Sequence, residues 1–509
     1  MTRLTQSACN DNNDFIQAIA EALSRAVDVR AARAAFAERE QAALELSNEA
    51  VRRLLESDLQ RIADAEDERV ELETETYRRH QPGEVKYHSL CGALRVRRWT
   101  YRVVGVRNGA TIVPVELRAG LIENATPALA FAVTQGYAKA PIRSVRQDLE
   151  AARRSPPSRA TLERMAKTIG TDAKKDLMRI ERAVRAEEEL PKRATGITMG
   201  MDRTTIPMEE PVARAEGGDV GRVEVKYRMC YVGTVAITDT KGEVLASWRY
   251  ANAAHEGPLQ VVRRMMNDVR KALTSKPRLH VGVVQDGAPE LWSIVVAALR
   301  EEPRVRKWHE AVDMFHLFER LSAALEIVEP DEQKRRVQLS RWKREFLRDE
   351  GTIARVVNFF ELDLPWLRAR HRRWRKAVVN AGCVFLPDYY IQLPPRSKWP
   401  STPIVVEHPP YRWTEKQRNA VSEILYTYVL SPRLFRYARL ARLGLHVGSG
   451  VTEGACKSLI AARAKRSGQR WRKTGIAAVL TLRSLVQCDR FTRFWNRFVR
   501  RYAPLAKAA

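Results

Sequence analysis

Residues 195–208 read TGITMGMDRTTIPM, and residues 279–289 read LHVGVVQDGAP. In the first stretch Ile197, Met199 and Met201 fall on one side of an extended chain. Thr198, Gly200, Asp202 and Thr204 fall on the other, because strand side chains alternate. In the second, Val281, Val283 and Val284 form a short apolar run that stops at Asp286 and Gly287. Between them, residues 225–239 (VKYRMCYVGTVAITD) and 242–253 (GEVLASWRYANA) read as two more strands, and residues 258–273 as a helix. A helix over 290–300 and a strand within 307–314 (KWHEAVDM) follow. Three successive strands and then alternating helix and strand predict an α/β layer with a mixed sheet.

On the N-terminal side, residues 12–77 carry apolar residues at three-to-four spacing, among them Ile19, Leu23, Val51, Leu55 and Leu59, with no Gly or Pro. They read as one long helix, either packed on its own domain or serving as a dimerising arm. Pro82-Gly83 reads as a turn, and residues 85–106 as a β-hairpin bearing Arg95, Arg97, Arg98 and Arg102. Residues 127–188 read as helical again. Within them SVRQDLEAARRSPPSRATLERMAKTIG (144–170) has the form of two helices joined by a turn, with Ser158 as a cap and Arg159, Thr161, Arg164 and Lys167 on the exposed side. That is either a helix-turn-helix for the major groove or an ordinary basic helical hairpin.

On the C-terminal side, residues 315–443 read as mainly helical and very basic, with HRRWRK (371–376), several tryptophans and a Pro-rich interruption at 393–410. The last segment, GSGVTEGACKSLIAARAKRSGQRWRK (448–473), opens with glycines and continues as a helix.

The chain has 88 Lys+Arg against 61 Asp+Glu, a formal net charge of +27 over 509 residues. A compact fold with that excess repels itself unless a polyanion offsets it, and nucleic acid is the usual one. No apolar run approaches the ~20 residues of a spanning helix. The opening MTRLTQSACNDNNDF lacks an apolar core, so the expectation is a cytoplasmic, nucleoid-associated protein without a membrane partner. The cysteines, Cys9, Cys91, Cys230, Cys383, Cys456 and Cys488, lie too far apart in sequence for a structural zinc spacing. A phosphate-cradling Walker loop is absent, which disfavours an ATP-driven motor.

Three acids stand out. Asp202 shares a strand face with small neighbours that leave room for an ion and a phosphate. Asp286 sits where an apolar strand stops, the place where α/β sites form, although a plain Asp-Gly turn would look the same. Glu453 is an acidic exception in a basic helix carrying Lys457, Arg463, Lys465 and Arg466, with Arg470 and Trp471 beyond it. Phosphodiester cleavage needs an activated nucleophile and a stabilised leaving oxygen. Two Mg²⁺ ions about 4 Å apart supply both, held by hard oxygen ligands. Asp313 and His316, in VDMFHLFERL (312–321), form a second tier, either orienting that site or acting as a helix cap and a packed histidine.

Together DRTTIPM at Asp202, VVQDGAPELW at Asp286, VDMFHLFERL at Asp313 and GVTEGACKSLIAARAKRSGQRW at Glu453 resemble bacterial insertion-sequence transposases of the Kra type, relatives of the Mutator-like group. After Asp202 stands Arg203, where many relatives carry Gly. The resemblance implies an α/β ribonuclease H-like catalytic core with a large, mainly helical insertion, preceded by helical and β-hairpin DNA-binding regions. The implied division is a helical arm at 1–80, a hairpin and helical DNA-binding region at 81–190, the first part of the core at 191–314, the basic insertion at 315–443, the final core helix at 444–485 and a basic tail at 486–509. It implies a DDE triad of Asp202, Asp286 and Glu453, two Mg²⁺ ions with Mn²⁺ able to substitute, and cleavage and strand transfer on double-stranded DNA, both element ends and target. A homodimer or higher oligomer on DNA is the expected assembly. Lys457, Arg463, Lys465, Arg466 and Arg470 would grip phosphates, Arg159 and Arg164 would contact DNA from the helical hairpin, and Trp471, Trp366 or Trp374 would stack on an unpaired base. The rivals are a non-catalytic DNA-binding protein derived from a transposase, and another nuclease of the same fold.

Overall fold

The structure is a computed structural model. It describes residues 2–31, 33–211, 223–286, 289–365, 367–369, 372, 411–429 and 434–505. The chain forms two compact units, one of Met1–Ile180 with Phe491–Ala509, the other of Glu181–Arg490.

In the first unit, α1 (Thr2–Ala31) and α2 (Phe36–Asp64) replace the single helix expected to reach Tyr77. The chain breaks before Phe36 and doubles back, so that Arg30 meets Glu45 at 2.7 Å and Arg39 meets Asp28 at 2.6 Å. Beyond Asp64 the arm gives way to sheet, which corrects the helical reading of residues 1–80. β1 (Arg69–Leu72), β2 (Glu75–Ser89), β3 (Gly92–Val103) and β4 (Thr111–Ile112) form an antiparallel sheet in chain order. Pro82 and Gly83 are not a turn. They lie inside β2 opposite Trp99 and Arg98. β1 stops at the Arg69–Arg78 pair, so β2 is an edge there and proline's missing N–H interrupts no ladder on that side. The free edge of β3 is covered by α2: Arg95 N donates to Glu56 Oε2 at 2.8 Å and Arg97 N to Gln60 Oε1 at 2.9 Å. Short α3 (Pro114–Ala119) is followed by α4 (Pro127–Lys139), α5 (Ile142–Ala151) and α6 (Arg159–Ala186). Residues 486–509 are not a simple tail. Their α16 (Phe491–Phe498) packs Phe491 and Trp495 against Phe131, one ring tilted and the other edge-on, with centroids 5.4 and 5.5 Å away.

The second unit carries a mixed sheet of β5 (Gly196–Pro211), β6 (Val223–Thr238), β7 (Val244–Asn252), β8 (His280–Gln285) and β9 (His309–Val312). The strand order is β7-β6-β5-β8-β9. β6 is antiparallel to both neighbours, while β5, β8 and β9 run parallel. Parallel neighbours need crossovers, supplied by α7 (Leu259–Ser275) and α8 (Pro289–Arg300). Ile197, Met199 and Met201 are fully buried and pack with Val261, Met265 and Val269 of α7, as strand alternation predicts. After β9 the described chain is helical: α9 (Met314–Val328), α10 (Glu332–Phe346), α11 (Thr352–Phe359), α12 (Glu415–Val429), α13 (Tyr437–Arg442), α14 (Gly450–Ala455) and α15 (Lys473–Gln487).

A buried ionic network joins the two ends of this unit's chain. Arg264 holds Glu181 at 2.6 Å, Arg185 and Arg490 hold Asp268 at 2.5 and 2.9 Å, and Arg490 also holds Glu188. Tyr250 donates its hydroxyl to Asp268. Each buried charge is paired, the condition under which burial is tolerable.

Candidate active site at the strand ends

The register of the parallel strands sets out the acids. The last β5–β8 pair is Met199 with Val283, so Asp202 and Asp286 each lie three residues further on. The last β8–β9 pair is Gln285 with Val312, so Asp286 and Asp313 each follow by one. Asp202, inside β5, is therefore level with Asp286 and Asp313, which directly follow the last residues of β8 and β9, the place where α/β sheets build sites. Asp313 N donates to Gln285 O at 2.9 Å, which continues the ladder by one bond. Trp292, fully buried, donates its indole N–H to Asp286 O at 2.7 Å and anchors the strand exit. Gln285 is 1% exposed; its Oε1 accepts from Met201 N at 3.3 Å, bridging β5 and β8 where their direct pairing has ended.

Glu453 comes to this end of the sheet on α14. Gly200 makes the approach possible: a Cβ there would collide with Thr452 Oγ1 and Val284 O. Thr452 in turn shares a 2.7 Å hydroxyl contact with Thr234 of β6. Asp313 is 0% exposed and does two things. Its Oδ2 caps α9 by accepting from His316 N at 3.2 Å, and its Oδ1 accepts from Ser449 N at 2.6 Å. Ser449 then donates its hydroxyl to Glu453 Oε1 at 3.0 Å. Asp313, His316 and Glu453 offer ligand atoms all within 4.8 Å of one another, a spacing that suits a metal ion. On the next turn Cys456 donates its thiol to Asp202 Oδ2 at 3.1 Å, so α14 and its continuation touch acids from both β5 and the end of β9.

The electrostatics follow from the crowding. Burial first, and then the charges of Asp202 and Asp286, push the Cys456 thiol far up. Burial pulls His316 down, but its hydrogen bond to Glu319 and the charges of Asp313 and Asp286 outweigh that and raise it. Burial and the same two aspartates raise Tyr428, against the influence of Arg320. Asp286 thus acts electrostatically on groups from α9, α12 and the segment after α14. Lys457 is 3.9 Å from Glu453 and 81% exposed.

The residues expected to meet DNA divide. Lys465, Arg466 and Arg470 are exposed, and Lys465 contacts Thr204 beside Asp202. Arg463 is 2% exposed, with its guanidinium 4.9 Å from the ring of Trp471. Trp471 is itself buried, donates to Ala464 O at 3.1 Å and bridges to Met208 on β5. Neither projects to a DNA surface, which corrects both assignments. The cause is a run of π-turns over Cys456–Ala461. Its wider period rotates the following residues, so Ala462 is exposed and Arg463 faces inward, against a projection at 3.6 residues per turn. In the first unit, Ser158 caps α6 by accepting from Thr161 N at 3.3 Å; Arg159 is exposed and Arg164 reaches Glu123 at 3.8 Å. Trp366, Trp374 and Gly287 lie outside the described residues.

Ser449, Gln285, Cys456 and Tyr428 escape the sequence reading. Ser449 had a signal, a hydroxyl four residues before Glu453 and so on its helical face. The others are polar groups at positions whose importance depends on which strands become neighbours. No protein-family model matches the chain, and no curated protein does either.

Proposed function

We propose that this chain is a DNA transposase of the DDE type, with a ribonuclease H-like core in Glu181–Arg490 and with Asp202, Asp286 and Glu453 as its catalytic acids. The observation that carries the reading is the convergence of acids remote in sequence: Asp202 inside β5, level with Asp286 and Asp313 just past the ends of the parallel strands β8 and β9, with the Glu453 helix and its flanking residues hydrogen-bonded to the first and last of these. Such a concentration of carboxylates repels both itself and a phosphate unless cations are present.

The donor set fits a hard divalent cation. Carboxylate oxygens dominate, and one imidazole, His316, is also tolerated by Mn²⁺. Asp202, Asp286 and Glu453 would hold Mg²⁺ or Mn²⁺, and Asp313 and His316 lie close enough to Glu453 to share in the task. When bound, such ions lower the pKa of a nucleophilic water or hydroxyl and stabilise the leaving oxygen. The chain's own residues orient the site. Ser449 directs one oxygen of Glu453, Gln285 spaces β5 from β8, and Trp292 fixes the exit of β8. Lys465 and Arg466, exposed beyond the Glu453 helix, are suited to hold the flanking phosphates.

The test is nicking and joining of double-stranded DNA bearing the element's ends by the full chain in Mg²⁺ or Mn²⁺, compared with Asp286→Asn and Glu453→Gln. Loss of nicking with retained binding is expected. Binding without nicking in any metal would favour a non-catalytic DNA-binding protein, and nicking without joining another nuclease.

A further inference from the structure

The opposite end of the same sheet is strongly basic. β8 begins at His280 and β9 at His309, and with the β-strand rise of about 3.3 Å per residue Asp286 lies roughly 20 Å away along β8. A cavity of about 680 Å³ opens there, lined by Arg278, His280, Arg304, Arg306, Lys307 and His309 over an apolar floor that includes Leu279, Val281 and Val305. A second cavity of about 450 Å³ continues it past the start of β5 and shares Pro277, Arg278, Leu279 and His280 with it. Together they form a trough across the rear of three strands.

Its charge is not balanced from within. The nearby acid Glu302 is buried and already engaged by Arg270 at 2.8 Å and Arg304 at 3.1 Å. Glu310 accepts from the Trp308 indole at 2.6 Å, and Glu350 lies 4.0 Å from Arg436 and 2.8 Å from Arg442. Arg278, Arg306 and Lys307 make no ion pair among the described residues, and all three are exposed. Cations over an apolar floor repel one another and concentrate a positive field, a burden that a bound anion relieves. His309 registers the field: burial, then Arg439, Lys307, His280 and Arg436, hold it down to about 4.

We propose that this trough binds the phosphate backbone of a DNA duplex segment separate from the one at the acidic site. The proposal rests on the reading of the chain as a protein that acts on DNA. Among the described residues no Phe, Tyr or Trp lines either cavity, so these residues offer no stacking platform of the kind a single-strand site uses. It offers cations spread along an open surface, which suits a phosphate track.

The experiment is anisotropy binding of a short random-sequence duplex to the full chain in EDTA, from about 50 to about 200 mM salt, for the wild type and for the triple variant R278S/R306S/K307S. Three lost phosphate contacts should reduce the slope of log K against log salt by about 2.7, with an unaltered melting temperature. An unchanged slope overturns the proposal. So does tighter binding of single-stranded RNA that the triple variant abolishes, because it would make RNA the partner. A second measurement needs no variant: duplex addition should raise the NMR titration midpoint of His309, and an unmoved midpoint overturns the proposal as well. The two readings fail separately. A reduced slope in a protein that never nicks DNA supports the trough and removes the nuclease, while metal-dependent nicking with an unchanged slope does the reverse.

Discussion

Cys456 donates its thiol to Asp202 at 3.1 Å from a position one helical turn beyond Glu453. The contact ties the first and last acids of the proposed triad together although 251 positions separate Asp202 from Glu453. It also makes the thiol unreactive, because burial and two carboxylates oppose thiolate formation and only the thiolate is a nucleophile. Of the four cysteines with described surroundings, Cys91 is the partly exposed one. Alkylation of the native chain followed by mass spectrometry should modify Cys91 well before Cys230, Cys456 and Cys488. Rapid labelling of Cys456 would mean that it does not face Asp202.

Gly200 should tolerate no side chain. In Gly200→Val the new atoms meet Thr452 Oγ1 and Val284 O, so α14 must move away from β5. Overpacking of this kind costs roughly 1–3 kcal/mol. A lowered denaturation midpoint together with loss of the melting-temperature increase caused by Mn²⁺ is the expected outcome. A variant as stable and as Mn²⁺-responsive as the wild type would show that Glu453 does not depend on this close approach.

Asp268 is the centre of the buried ionic network, accepting from Arg185, Arg490 and Tyr250. Asp268→Ala leaves two buried guanidinium groups without that carboxylate, a loss of about 3–5 kcal/mol where buried pairs are broken. Urea denaturation followed by circular dichroism checks it. A change within about 0.5 kcal/mol, typical of surface substitutions, would contradict the network.

Stability should fall on mild acidification through His309. Its folded-state pKa, held down to about 4 first by burial and then by the surrounding cations, lies below the ordinary histidine value of 6.5, so between these the unfolded chain binds the proton more readily. Its contribution is present above pH 6.5 and is lost as pH falls toward 4. His309→Gln should flatten the stability profile in that window. A profile identical to that of the wild type would show that burial and the neighbouring cations do not together hold this imidazole neutral.

The sequence disclosed the sheet more readily than the edges of the site. Alternation in residues 195–208 and the apolar run before Asp286 identify β5 and β8 because both strands are buried on a face that only apolar side chains can occupy. Pro82-Gly83 misleads because a proline is tolerated in a strand wherever one edge is unpaired. Arg463 misleads because the π-turns change the helical period just before it. The break between α1 and α2 has no glycine or proline to announce it; helix-on-helix packing and the two interhelical ion pairs accompany it. Asp313 shows the opposite limit. Its helix-cap role is legible locally, whereas its bond to Ser449, 136 positions away, depends on the whole fold.

Mn²⁺ binding followed by electron paramagnetic resonance tests the convergence of the acids most directly. Asp202→Asn, Asp286→Asn and Glu453→Gln should each weaken the same binding event by about tenfold or more, equivalent to about 1.4 kcal/mol each. Undiminished Mn²⁺ affinity in Glu453→Gln, with affinity lost in Asp286→Asn, would contradict a shared site.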